Sequence, residues 1–234
     1  MNKRILITGA SSGIGRASAL ALSKNGVHLT LVARREAELG EVGEECLAKG
    51  ASVEIYPLDL TQIDAIPALV DTFLTGDCYP VLVNSAGIGV FKSFADLAWE
   101  DIDRQINLNL RAPARLIHAC LPGMLQRGGG QIINVLSMTC VHILPGGGGY
   151  STAKSGLQML GKVVSQEYRK KGIRVTNLMP GAVDTPIWDG SPMQSRMGEM
   201  IPTVEVASLI ARLVESPDSY NMDEILMMPP RGVL

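Results

Sequence analysis

The chain has 234 residues, 46% hydrophobic and 19% charged, enough for one large domain with a buried core. Its formal net charge is −2 and no basic stripe runs through it, which argues against a nucleic-acid partner. The apolar run Ile5–Ile7 is too short for a signal core or a membrane span, so a soluble, cytoplasmic protein without a membrane partner is expected. Cys46, Cys78, Cys120 and Cys140 show neither metal spacing nor a CxxC pair; they are read as reduced structural thiols, and no metal is expected.

In chain order, short apolar runs alternate with longer helical patterns. Strands are predicted at Arg4–Thr8, Val27–Ala33, Val53–Tyr56, Val81–Val83, Gln131–Leu136, Ile173–Met179 and Glu224–Met228. Helices are predicted between them, at Gly13–Lys24, Arg35–Lys49, Ile63–Leu74, Trp99–Gln126, Ser151–Lys170 and Val204–Glu215. Alternation of this kind implies parallel pairing through right-handed crossovers. Near-continuous apolar strands imply a sheet covered on both faces. The expected architecture is a doubly wound α/β sandwich of the Rossmann type, about seven strands in three layers, forming one domain over residues 1–234. The final strand ends close to the C-terminus, so no separate substrate domain is expected.

Ligands bind such sheets at the carboxyl ends of the strands. There the chain places Gly9, Ser11, Ser12, Gly13, Ile14 and Gly15, then Arg34-Arg35, Asp59-Leu60, Asn84-Ser85-Ala86-Gly87, Ser137 and Pro180-Gly181. The first loop, between a strand and a helix, can bring backbone N–H groups and a helix N-terminus to a pyrophosphate. An NAD site commonly carries an acidic residue after the second strand to bond the ribose 2′-hydroxyl. Here Arg34 and Arg35 suit a 2′-phosphate, so NADP(H) is expected; Glu36 keeps NAD(H) open. Asp59 is read either as a partner for the adenine amino group or as a cap for the next helix.

Tyr150-Ser151-Thr152-Ala153-Lys154 opens a helix after Pro145 and Gly146–Gly149. Tyr150 and Lys154 are four residues apart and share a helical face. A neighbouring ammonium favours the phenolate, so Tyr150 is a candidate general acid/base. Ser137, at a strand end, is a candidate to hold the substrate oxygen.

TGASSGIG, NSAG, Ser137, YSTAK and PG, in this order and across essentially the whole chain, resemble the short-chain dehydrogenase/reductase family. The resemblance implies a catalytic set in which Ser137 positions a carbonyl, Tyr150 transfers a proton, and Lys154 contacts the nicotinamide ribose and lowers the tyrosine pKa. Its fourth member falls on Asn109, with Asn107 as competitor. Pro113, four residues on, has no N–H to give the Asn109 carbonyl, which favours Asn109. Tyr150 and Lys154 thereby also become cofactor contacts. Thr185, in Val183-Asp184-Thr185, is similar to the family's contact with the nicotinamide carboxamide. Homo-oligomers, dimer or tetramer, are implied through Trp99–Gln126 and Ser151–Lys170.

Two departures stand out. Ser85 occupies a position where the family commonly has asparagine, and the chain stops soon after Met227-Met228-Pro229-Pro230. Residues 186–201 read as a lid over the substrate. Trp188 is read as a pocket wall or as an anchor for that lid. Cys140, His142 and Leu144 are expected on the opposite wall beside Ser137, facing a modest, largely apolar carbonyl compound or alcohol. Three functions follow: an NADP(H)-dependent oxidoreductase, a non-catalytic nucleotide-binding regulator on the same fold, or an epimerase or dehydratase. The last generally needs a larger C-terminal region.

Overall fold

The computed structural model describes residues 3–76 and 78–233; Met1, Asn2, Asp77 and Leu234 of the expected domain lie outside the described residues. Seven parallel strands form one sheet in the order β3-β2-β1-β4-β5-β6-β7. They are β1 (Lys3–Thr8), β2 (Val27–Ala33), β3 (Ser52–Pro57), β4 (Tyr79–Asn84), β5 (Gly130–Val135), β6 (Ile173–Pro180) and β7 (Glu224–Met227). All seven predicted strands are present, within a residue or two of their expected ends. The order reverses between β1 and β4, which leaves a crevice at the carboxyl ends of the strands.

Alternation along each strand divides the core into two layers. Ile5, Ile7, Leu29, Leu31, Val81 and Val83 pack with one buried cluster, which also takes in α1 (Gly13–Leu22), α2 (Glu36–Ala48) and α7 (Thr203–Glu215). Leu6, Val32, Leu82 and Ile132 face the other way, toward α3 (Ile66–Phe73), α5 (Ala112–Gln126) and α6 (Gly148–Tyr168). The expectation of apolar strands throughout holds for the centre. The edge strands β3 and β7 alternate between exposed and half-buried residues, because each has a neighbour on one side alone.

The helix expected over Trp99–Gln126 is divided. Regular α4 (Trp99–Ile106) gives way to a π-helical turn, Asn107–Arg111, before α5 begins. The N–H of Ala112 reaches back five residues to the carbonyl of Asn107. Pro113, with no N–H of its own, follows at once and cannot restore the four-residue spacing. Helix α6 starts three residues before the expected Ser151, because Gly148 and Gly149 already belong to it. A side chain at Gly149 would stand 2.8 Å from the buried Gln105 amide, so its absence lets α6 approach α4.

Candidate active site

The loop between β1 and α1 is built by close approach. A Cβ on Gly15 would lie 2.3 Å from the Gly9 carbonyl oxygen, and one on Gly9 would lie 2.9 Å from Ala86 Cα. Gly9 and Gly13 also have positive φ, where a side chain is strained. Thr8 joins this loop to the end of β4: its hydroxyl accepts from the N–H groups of Ser85 and Ala86, both at 3.0 Å. The result is one rim at the strand ends, lining a cleft of about 660 Å³.

Gly9, Ser11, Ser12, Gly13, Ile14, Gly15, Arg34, Arg35, Leu60, Ala86, Gly87, Pro180, Gly181, Val183 and Thr185 all line that cleft, as expected cofactor contacts should. Arg35 donates to Ser11 Oγ at 3.2 Å and pairs with Glu38 at 3.2 Å. Arg34 has no ion-pair partner among the described residues. Glu36 opens α2 and does not line the cleft.

Two expected contacts are displaced from the wall. Asp59 turns back to accept from the N–H and hydroxyl of Thr61, at 2.9 and 2.8 Å. Burial pushes its carboxyl up, but the Thr61 bonds and the Arg34 charge outweigh that and hold it below the ordinary range. The Thr61 bonds close a turn ahead of the next helix, whose own N-cap is Gln62, so the geometry displays neither the adenine contact nor the helix cap. Asn84 points along the sheet instead, donating to Asn134 at 2.9 Å; Asn134 donates to Asn177 at 3.0 Å, and Asn177 to the Gln158 carbonyl at 3.0 Å. This buried amide row crosses β4, β5 and β6.

The four expected catalytic residues lie around the far half of the cleft. Ser137 caps the short turn Met138–Cys140, its oxygen accepting from Thr139 N–H at 3.2 Å, and it lines the cleft with Tyr150. Tyr150 and Lys154 sit one turn apart on α6, both lining the cleft and both largely buried. Lys154 Nζ donates to the Val135 carbonyl at 2.8 Å and stands 5.8 Å from the Tyr150 ring centroid. Burial pushes the Tyr150 hydroxyl up to about 12, with the Ser137 hydroxyl pulling against it. Burial lowers Lys154 to about 8. The expected lowering of the tyrosine by the lysine is therefore not seen: desolvation dominates both groups, and the ammonium is turned toward Val135.

Asn109 is fully buried, its amide donating to the Ile88 carbonyl at 2.8 Å and accepting from Ile88 N–H at 3.0 Å. Asn107 instead accepts from Arg111 at 2.9 Å on the exposed side of the helix. The geometry thus separates the two candidates in favour of Asn109. One turn before it, Gln105 accepts from Val90 N–H at 2.9 Å. Together the two amides grip alternate residues of the loop after β4. Gln105 had no signal in the sequence beyond its four-residue spacing from Asn109.

On the substrate side, Leu144 and Trp188 line the cleft, but Cys140 and His142 do not. The turn capped by Ser137 carries Cys140 toward Ser155 and away from the opening, and burial raises its thiol pKa. His142 projects to solvent where that loop bulges. Phe91, Arg104 and Met138 line the cleft without having been anticipated, and Met193 joins them from the expected lid segment. The Phe91 ring meets Tyr150 edge-on, centroids 5.4 Å apart, and stacks on Trp188 at 5.3 Å. Trp188 Nε1 also donates to the Val183 carbonyl at 3.0 Å, so it is wall and anchor at once. The segment 186–201 leaves and returns at one point: Val183 bridges Ile201, and Asp184 N–H bonds the Ile201 carbonyl at 2.9 Å. Among the described residues no group of acidic, cysteine and histidine side chains could hold a metal, and no helix is long and apolar enough to cross a membrane.

Comparison with known proteins agrees with this geometry. Residues 3–195 match the family model for short chain dehydrogenase. The chain is 30% identical over 243 residues to sepiapterin reductase of Chlorobaculum tepidum, covering 99% of this chain and 98% of that one. Among solved structures, an alcohol dehydrogenase from the archaeon Thermococcus sibiricus complexed with 5-hydroxy-NADP superposes with a TM-score of 0.88 at 28% identity, covering 97% of each chain. A metagenomic short-chain oxidoreductase in complex with NADP gives 0.84 at 31% identity, again over 97% of each chain. The chain belongs to the short-chain dehydrogenase/reductase family and is an oxidoreductase of that family.

Proposed function

We infer that the protein transfers a hydride between NADP(H) and a carbonyl compound or secondary alcohol, with Tyr150 as general acid in reduction and general base in oxidation. The observation that carries this reading is the convergence of Ser137, Tyr150 and Lys154 on the wall of a cleft whose other end is a glycine cradle. A dinucleotide fits that cradle: without side chains at Gly9 and Gly15 the loop closes tightly on itself and on the end of β4, and the first turn of α1 presents backbone N–H groups to the phosphates. The guanidinium of Arg34, without an ionic partner, suits a 2′-phosphate. Two related structures hold NADP or 5-hydroxy-NADP, which supports the same choice.

The bound nicotinamide supplies or accepts the hydride. The chain itself does the rest. Ser137 Oγ holds the substrate oxygen beside Tyr150. The Tyr150 hydroxyl, held protonated by burial, gives its proton to that oxygen as the carbonyl carbon is reduced. Lys154 supplies positive charge near the phenolate that remains. Asn109 and Gln105 fix the loop 87–91 that forms the wall opposite. The same reading takes residues 1–234 as one catalytic domain, residues 186–201 as its lid, and the working protein as a cytoplasmic homo-oligomer.

The test is a screen of carbonyl compounds followed by NADPH absorbance, with NADH alongside. NADPH oxidation is expected, reduced about 100-fold or more by Tyr150→Phe. Arg34→Ala is expected to raise KM for NADPH about tenfold or more and to leave that for NADH nearly unchanged. Full turnover by Tyr150→Phe would refute the proton role; equal losses with both cofactors would refute the cofactor choice.

A further inference from the structure

The few large aromatic side chains of this protein are unevenly placed. Of three phenylalanines and two tryptophans, Phe73 is in the core, whereas Phe91 and Trp188 line the substrate half of the cleft. Phe94, three residues after Phe91, lies outside the cleft lining and is 69% exposed. It is held there: its ring covers Gly148, where an added Cβ would stand 2.8 Å from Phe94 Cδ2, and Lys92 N–H ties the segment to the Gly146 carbonyl at 3.0 Å.

The loop that Phe94 packs against, leading from Ser137 to Gly148, has the same character. Met138, Thr139, Leu144 and Pro145 line the cleft, so the loop enters and leaves at the opening. Its middle presents Val141, 52% exposed, and Ile143, 92% exposed. This stretch is ordered by its own bonds: the N–H groups of Val141 and His142 both reach the Met138 carbonyl, at 2.9 and 2.8 Å, and Gly147 N–H reaches that of Leu144 at 3.0 Å. A single exposed isoleucine needs no explanation. Three large exposed apolar side chains, carried on the two segments whose Phe91 and Leu144 line the cleft, extend the apolar character of its wall outward.

The geometry points to a substrate with an extended apolar chain: its carbonyl sits at Tyr150, and its chain passes Phe91 and Leu144 and leaves the cleft to lie against Ile143, Val141 and Phe94. This assignment rests on the oxidoreductase reading above and adds the substrate class. A chain along this path keeps burying methylene groups beyond the cleft, each worth about two- to fourfold in affinity.

The experiment is a series of straight-chain aldehydes from butanal to dodecanal with NADPH. In parallel, the matching primary alcohols are titrated into the protein with NADP+ by calorimetry, a readout that does not need turnover. Expected are kcat/KM and alcohol affinity that climb about twofold or more per methylene past the length the cleft itself can hold. In the double variant Phe94→Ser, Ile143→Ser the ratio of dodecanal to butanal kcat/KM is expected to fall about tenfold or more. A flat series, or an unchanged ratio in the double variant, overturns the proposal. So does a double variant that changes sedimentation but not that ratio, since the patch would then be a contact with a second copy. Alcohols that bind with rising affinity while no aldehyde is reduced would keep the chain-binding surface and refute the oxidoreductase reading instead.

Discussion

Burial governs the charges of the site at the scale of single residues. Lys154 is held at about 8 in the folded protein against 10.5 as a free side chain. Between these values the unfolded chain binds more protons than the folded one, so stability rises with pH across that window. Tyr150 acts oppositely: held at about 12, it contributes stability that is lost as pH rises beyond 10. Urea unfolding at pH 7.5 and pH 10 isolates the lysine. The wild-type protein is expected to gain about 2–3 kcal/mol over that interval relative to Lys154→Met. An identical pH dependence in both proteins would show that Lys154 is not held low.

Much of this residue-scale chemistry was legible in the sequence. Ser137, Tyr150 and Lys154 stand out because hydroxyl, phenol and ammonium recur at a fixed spacing after a strand. Pro113 pointed to Asn109 over Asn107 through its missing N–H, a local fact, whereas the burial of the Asn109 amide against Ile88 is a separate, long-range one. Cys140 and His142 were placed wrongly on the wall for a different reason. The direction of their side chains depends on the turn that Ser137 caps, and residue identity does not announce that turn. Phe91 and Gln105 were missed because their roles exist only through partners distant in the chain, Trp188 and Val90.

At the scale of elements, the strands hold one another through polar as well as apolar contacts. The row Asn84–Asn134–Asn177 lies beneath α6, and Gly161 of that helix faces it directly. A Cβ there would stand 2.5 Å from Asn177 Oδ1 and 3.0 Å from Asn134 Nδ2. Gly161→Ala must push the helix away or break an amide bond inside the protein, where an unsatisfied group costs about 1–3 kcal/mol. It is expected to destabilise the protein by about 2–3 kcal/mol, although alanine ordinarily favours a helix. Chemical denaturation checks this; a stabilised Gly161→Ala protein would mean that the helix and sheet have room between them. The periodic pattern of α6 was plain in the sequence, but nothing local marked its glycine as the point of closest approach. The π-helical turn was only partly legible: Pro113 signalled an interruption, and the five-residue reach of Ala112 to Asn107 was not visible from composition.

For the molecule as a whole, the parallel sheet is what converts scattered motifs into a site. Because all strands run one way, residues 9, 11–15, 34–35, 85–87, 137, 180–183 and 185 arrive at one rim although they span most of the chain. Strand order was accessible to reasoning, because alternating strands and helices with right-handed crossovers leave few arrangements. The shape of the substrate half was not, since it is made by two loops and the segment between Val183 and Ile201, brought together by contacts such as Phe91 with Trp188 that are long in sequence. The most direct measurement is a crystal structure of the protein soaked with NADP+. Expected is a dinucleotide along the rim, its phosphates on the Gly9–Gly15 loop, its 2′-phosphate against Arg34, and its nicotinamide facing the Tyr150 hydroxyl. A nicotinamide bound remote from that hydroxyl, or a 2′-phosphate left in solvent, would contradict the assignment.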